Sequence, residues 1–272
     1  MPRRPRPSRS FGEGIVRTVA LLRERVTKPD AYPFSIPAIR ALETLELDPK
    51  VTFFVGENGA GKSTLVEAIA VAAGFNPEGG SKNFRFETRR SESELHQALR
   101  IARGTRRERD GFFLRAESYF NVATEIDRLD SEPSFGPPVI DGFGGVPLHE
   151  MSHGESFLAL ANNRLRGEGL YVFDEPEAAL SPGRQLSLLK ILWRLSKQGS
   201  QFIIATHSPI LMAFPGARIY LLDGSGIRTV AYEETEHFQV TRGFLLDRER
   251  YFRHLFESDE DETEDGDEGE AG

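Results

Sequence analysis

Nine consecutive residues, Gly56-Glu57-Asn58-Gly59-Ala60-Gly61-Lys62-Ser63-Thr64, carry the densest chemical signal in the chain. The pattern G-x-x-x-x-G-K-S follows an apolar run, Val51-Thr52-Phe53-Phe54-Val55, and opens a helix-compatible segment reaching Ala73. Glycines there let backbone N–H groups converge, and a helix start adds partial positive charge, so the loop is suited to cradling phosphate oxygens. In that role Lys62 reaches the outer phosphates of a nucleoside triphosphate and Ser63 ligates Mg²⁺. A glycine turn that merely starts a helix needs neither the lysine nor the hydroxyl.

Three further clusters have residue types that would complete such a site. Asp174-Glu175 follows the apolar run Leu170-Tyr171-Val172-Phe173. One carboxylate there can hold a metal ion or its waters, and the next can orient and deprotonate an attacking water. Thr206-His207-Ser208-Pro209 follows Phe202-Ile203-Ile204-Ala205 and puts a histidine where a terminal phosphate would lie. Ser208-Pro209 also reads as an ordinary helix start, so both readings of His207 stay open. Ser152-His153-Gly154-Glu155 is a capping box before Phe157-Leu158-Ala159-Leu160, and a capped helix start is also an anion site. Both readings stay open here too.

The elements that must position these residues follow from patterning. Runs 51–55, 170–173 and 202–205 are apolar throughout, as in strands buried on both faces of a parallel sheet, and each ends where a polar cluster begins. Ligands collect at the carboxyl ends of such strands, so three runs delivering polar groups to one edge imply a single site. Helices separate them: one from Gly61 to Ala73, and one N-capped by Ser181, with Pro182 in its first turn, reaching about Lys197. A capping box of Ser91 and Glu94 predicts a helix to about Ala102. Ile219–Leu222, the turn Asp223-Gly224-Ser225-Gly226 and Ile227–Tyr232 read as a hairpin, and Thr241 to Phe256 as a closing amphipathic helix. The expected fold class is α/β, a three-layer sandwich with a mostly parallel central sheet.

Composition bounds the rest. With 272 residues, 39% of them hydrophobic, the chain can bury a substantial core. Its longest apolar stretch, Phe202 to Phe214, is interrupted by Thr206, His207, Ser208 and Pro209, so no membrane span or direct membrane insertion is expected. The Arg- and Pro-rich start is not followed by an apolar core, so a secretory signal is not expected there. The absence of cysteine rules out disulfides and thiolate metal sites and fits a cytoplasmic protein. The formal charge of −8 is concentrated in residues 257–272, which hold ten acidic residues; the remainder carries +2. The expected division is a flexible basic arm and lead-in over 1–30, a catalytic domain over 31–256 with a helical insertion at about 76–165, and a disordered acidic tail over 257–272.

Taken in order, Gly56–Thr64, Met151-Ser152-His153-Gly154-Glu155, Phe173-Asp174-Glu175-Pro176-Glu177, Ala179-Leu180-Ser181 and Thr206-His207 resemble the Walker A, signature, Walker B, D-loop and switch-histidine motifs of ABC-type P-loop ATPases. The likeness is closest to small stand-alone bacterial ATPases labelled AAA family, related to the SMC and DNA-repair branch, and covers about Pro33 to Phe256. It implies an ATPase head with a small helical lobe that binds ATP and Mg²⁺. Gly56, Glu57, Asn58, Gly59, Ala60, Gly61, Lys62, Ser63 and Thr64 would cradle the phosphates, and Ser63 and Asp174 would hold the metal. Glu175 would be the catalytic base, assisted by Lys62 and His207. It also implies a homodimer on ATP binding, in which Ser152, Gly154 and Glu155 reach the partner's nucleotide and Ser181 lies near the seam.

The chain departs from that pattern in places. His153 stands where the signature commonly has a glycine, and Ser181 where many transporter subunits have aspartate. For the family's glutamine loop, Gln97 falls in the expected Ser91 helix, whereas Glu117 or Asn121, after Phe112-Phe113-Leu114-Arg115, is better placed. Tyr32 and Phe34 are candidates for stacking on a base, with core packing the alternative. Three outputs remain open: an ATP-driven switch in DNA maintenance acting on an unknown effector protein, the energy subunit of a membrane transporter, and a nucleotide-gated scaffold without turnover. Arg100, Arg103, Arg106, Arg107 and Arg109 would serve nucleic-acid phosphates in the first, although Glu108 and Asp110 fit a solvated segment.

Overall fold

The structure is a computed structural model, and it describes residues 14–82, 93–115, 128, 130, 138, 140–141, 145 and 152–264. It separates into two compact units, Met1–Val230 and Ala231–Gly272.

In the first unit, six strands form one sheet: β3 (Val51–Val55), β5 (Asp110–Arg115), β6 (Gly169–Asp174), β7 (Gln201–Ala205), β8 (Arg218–Asp223) and β9 (Gly226–Val230), in the order β5-β6-β7-β3-β8-β9. All neighbours pair in parallel except β8 and β9, the expected antiparallel hairpin. Every residue of β3, β6 and β7 is buried, which explains why these runs are apolar on both faces. Phe53, Phe54, Phe112, Phe113, Phe173 and Phe202 are fully enclosed.

Helices of this unit described from end to end are α1 (Pro37–Arg40), α2 (Lys62–Ala72), α3 (Leu95–Ala98), α4 (His153–Asn163), α5 (Pro182–Lys197) and α6 (Pro209–Met212). The α/β class and mostly parallel central sheet are as expected. So are the helix after the phosphate loop and the one from Pro182 to Lys197, where Ser181 stands at the N-cap in extended conformation.

Several boundaries differ. The lead-in assigned to 1–30 contains β1 (Val16–Leu21), central strand of a second, antiparallel sheet ordered β2 (Thr44–Glu46), β1, β4 (Leu99–Arg103). Gln201 of β7 ties this sheet to the parallel one: its side-chain oxygen accepts from Ile15 N and Val16 N at 3.0 and 2.8 Å, and its nitrogen donates to Val16 O and Asp48 O, both at 2.8 Å. A fully buried amide is thereby satisfied on both ends.

The helix expected from Ser91 to Ala102 is reduced to the four residues of α3, because Leu99–Arg103 pair along β1; Ser91 itself lies outside the described residues. The insertion at 76–165 is therefore not purely helical: it includes β4 and β5. In the second unit the closing helix is two helices, α7 (Glu236–Leu246) and α8 (Arg248–Glu264). Asp247 breaks them at φ −149°, ψ 67°, and its Oδ1 accepts the Arg250 N–H at 3.2 Å, capping the second. The helix continues through residues 257–264, where a disordered tail was expected; residues 265–272 lie outside the described residues.

Candidate functional site

The parallel register aligns the polar strand ends. Phe54 of β3 pairs with Ala205 of β7, Ala205 with Asp174 of β6, and Asp174 with Arg115 of β5. Thr206 continues the alignment, its N–H donating to Phe54 O at 3.1 Å. The phosphate loop, Asp174-Glu175 and Thr206-His207 thus emerge at one edge, as the three apolar runs implied.

The loop itself is held by close backbone packing. Gly56 has φ +146°, and a Cβ there would stand 2.1 Å from the carbonyl oxygen of Leu222 on β8, so no side chain fits. Gly61 caps α2 in the left-handed region, and Lys62 begins it. The Lys62 side chain folds back, donating from Nζ to Glu57 O at 2.9 Å. Burial lowers the pKa of this ammonium, and the nearby carboxylates Glu175, Asp174 and Glu177 act in the opposite direction. Tyr32, Ile36, Asn58, Gly59, Gly61, Lys62, Ser63, Thr64 and Glu175 line an open cleft of about 190 Å³. Tyr32 is 67% exposed and its hydroxyl lies 3.2 Å from Thr64 Oγ1, whereas Phe34 is buried, so the two stacking candidates separate. Tyr32 is at the cleft and Phe34 is core.

Asp174 is buried at the end of β6. Glu175 follows in the left-handed region at φ +50°, a conformation costly for a residue with a side chain, and its N–H donates to Ala205 O at 3.0 Å. This turn keeps the Glu175 carboxylate partly exposed, with its Oε1 3.6 Å from His207 Nε2. The structure therefore brings Lys62, Glu175 and His207 together.

Ser152, Gly154 and Glu155 lie at the start of α4, and the walls of the Lys62 cleft among the described residues do not include them. The Glu155 carboxylate accepts from Ser152 N at 3.2 Å and Ser152 Oγ at 2.7 Å, and those bonds with Ser152 are the main cause of its lowered pKa. Arg184 of α5 grips both residues, with Nη2 3.0 Å from Glu155 Oε1 and Nη1 donating to Ser152 Oγ at 3.3 Å. Gly154 lies beneath that guanidinium. A Cβ there would come within 2.6 Å of Arg184 Nη1 and 2.7 Å of Ala179 O. Gly154→Ala is expected to push the first turn of α4 off α5 and to destabilise the fold by about 1–3 kcal/mol, as overpacking does. A lowered thermal midpoint in differential scanning calorimetry checks this, and an unchanged midpoint would show that the contact yields freely.

Two participants went unrecognised in the sequence reading. Arg115, last residue of β5, has Nη1 2.6 Å from Glu67 Oε2 of α2 and Nε 3.7 Å from Asp174 Oδ2. Its place at the end of an apolar run, Gly111-Phe112-Phe113-Leu114, is the same signal that marked Asp174. Arg184 gave no such signal, because its partner residues lie about thirty positions earlier. Gln97 sits in α3; Glu117, Asn121 and Met151 lie outside the described residues.

Two family models match in chain order. One, described as "AAA domain", covers residues 35–126, and the other, described as "AAA domain, putative AbiEii toxin, Type IV TA system", covers 139–213. The first spans the phosphate loop and the second spans Ser152, Asp174, Glu175 and His207, in the order of the five motifs. Two AAA-domain models in tandem, with the five motifs in the same order, support an ABC-type P-loop ATPase. Among curated relatives, the L-arabinose transport ATP-binding protein AraG of Geobacillus stearothermophilus is 25% identical over 235 residues, 77% of this chain and 44% of that protein. The energy-coupling factor transporter ATP-binding protein EcfA of Methanococcus maripaludis is 24% identical over 204 residues, 71% of this chain and 73% of that one. An uncharacterized ABC transporter ATP-binding protein of Haemophilus influenzae is 38% identical over 76 residues, 28% of this chain. The matched regions cover 44% of the Geobacillus protein and 29% of the Haemophilus protein. Among solved structures, the SMC head domain from Thermotoga maritima aligns at TM-score 0.42 and 17% identity over 79% of this chain and 98% of its own. ATPases of this family bind and hydrolyse ATP. Among the described residues, no helix is long and apolar enough to cross a membrane.

Proposed function

We propose that this chain hydrolyses ATP to ADP and phosphate, with Mg²⁺, at the Lys62–Glu175–His207 edge of the sheet. The observation carrying this reading is the Glu175 carboxylate, turned out of β6 by a left-handed backbone and placed beside both the Lys62 cleft and the His207 imidazole. Backbone N–H groups from Gly59 to Thr64 bind the phosphates, and Lys62 exchanges its bond to Glu57 O for the outer phosphates. Glu175 orients the attacking water and takes its proton; His207 donates to the terminal phosphate from the next strand.

The donor set suits a hard, oxygen-preferring cation: a buried carboxylate, Asp174, and a hydroxyl, Ser63, at the first turn of α2. Mg²⁺ held there would neutralise charge developing on the phosphates. Arg115, paired with Glu67, stands 3.7 Å from Asp174 Oδ2 and adds positive charge beside that carboxylate.

Completion of the site by a second copy of the chain is supported by the signature start of α4, which is not among the described residues lining the Lys62 cleft. Ser152, Gly154 and Glu155 then face the partner's nucleotide, ATP favours the closed pair, and hydrolysis releases it. Because the curated relatives are named for transport, a second reading is an energy subunit working with a membrane protein. Light scattering on the purified chain tests the dimer: the mass is expected to double when Mg²⁺ and a non-hydrolysable ATP analogue are added together. A monomer under those conditions would overturn nucleotide-driven pairing. Phosphate release on adding ATP, abolished by EDTA, tests the metal-dependent reaction.

A further inference from the structure

Glu177 plays no part in the scheme above, yet it joins the two loops that carry Glu175 and His207. It lies in the 3₁₀ turn Pro176–Ala179 that begins directly after Glu175. Its Oε1 accepts the backbone N–H of His207, and its carboxylate also takes a hydrogen bond from the Thr206 side chain. Its Oε2 is buried and meets no hydrogen-bond donor among the described residues. A carboxyl group is kept out of water here, where burial raises its pKa. Such a group is costly to bury unless its bonds do something a smaller side chain would not.

Those bonds belong to a closed circuit. Ser208 N donates to Thr206 Oγ1 at 3.0 Å, Ser208 Oγ donates to Gln185 Oε1, and Gln185 Nε2 donates to Leu180 O at 3.0 Å. Leu180 N in turn donates to Glu177 O at 2.9 Å. The turn after β6, the loop after β7 and the start of α5 are thereby stitched into one unit. Within this circuit the Glu177 side chain accepts the backbone N–H of His207.

We propose that Glu177 is the positioning residue of His207: its Oε1 fixes the His207 backbone so that the imidazole stays against Glu175. The kinetic side of this inference rests on the ATPase reading given above; the structural side does not.

The experiment compares wild type, Glu177→Gln, Glu177→Ala, His207→Ala and the double variant Glu177→Ala/His207→Ala. Amide hydrogen exchange of His207, read by NMR, needs no turnover. It is expected to accelerate about tenfold or more in Glu177→Ala and to stay protected in Glu177→Gln, which keeps an amide oxygen for the same N–H. In steady-state kinetics, Glu177→Ala is expected to lose about tenfold in kcat with little change in KM, and Glu177→Gln to recover most of it. The double variant is expected to be no slower than His207→Ala alone, since the two residues act as one unit. Unchanged His207 exchange in Glu177→Ala, failure of glutamine to restore protection, or additive losses in the double variant would each overturn the inference. A wild type without turnover would overturn the hydrolysis reading alone, and the exchange data would then decide this one.

Discussion

Glu175→Gln is expected to lower kcat for phosphate release by about 10²–10⁴-fold, the usual worth of a positioned general base, while leaving ATP affinity near that of wild type. The amide keeps the shape of the side chain and its place beside His207, so the left-handed turn at Glu175 and its N–H bond to Ala205 O survive. Only the capacity to take a proton is removed. The same variant is expected to accumulate as the ATP-bound pair, visible as a doubled mass that persists with ATP rather than only with an analogue. Single-turnover kinetics with a fluorescent phosphate sensor separates slow chemistry from slow product release. Turnover at the wild-type rate would remove Glu175 from the role of base.

Lys62→Ala is expected to act one step earlier. Loss of the ammonium removes the cationic side chain that lines the cleft among the described residues and leaves Glu175, Asp174 and Glu177 around it without that counter-charge. Truncating one partner of a buried charged pair costs about 2–5 kcal/mol, which lowers ATP affinity by about 30-fold or more. Titration with a fluorescent ATP analogue measures this, with thermal unfolding as the control for folding. Unaltered affinity would mean that the Nζ bond to Glu57 O is a structural clasp and that the phosphates bind elsewhere.

Where chemistry is local in sequence, the sequence sufficed. The phosphate loop is a contiguous motif, and β3, β6 and β7 are apolar on both faces because a parallel sheet buries both, so strand ends and polar clusters coincide. Where structure depends on distant partners, it did not. Leu99–Arg103 look helical beside Leu95–Ala98 until β1, about eighty residues earlier, offers them a ladder. Val16–Leu21 were masked by the Arg- and Pro-rich residues before them, and neither their sequence nor their burial alternates as a half-buried strand's would. Arg184 and Glu177 act on residues about thirty positions away, a separation at which composition and spacing carry no directional information. The break at Asp247 is a capping preference that was legible but outweighed by the apolar periodicity on either side.

The bond from Lys62 Nζ to Glu57 O also bears on how tightly a ligand can be held. A lysine already folded over its own loop and only 4% exposed has given up much of its hydration before any phosphate arrives. The unfavourable hydration change therefore belongs to the folding of the chain, and so does the ordering of the loop against Leu222. A polyphosphate entering the cleft replaces one carbonyl oxygen with several anionic ones and has little left to organise. Such preorganisation favours tight binding, since the conformational cost of association has been moved out of the binding step.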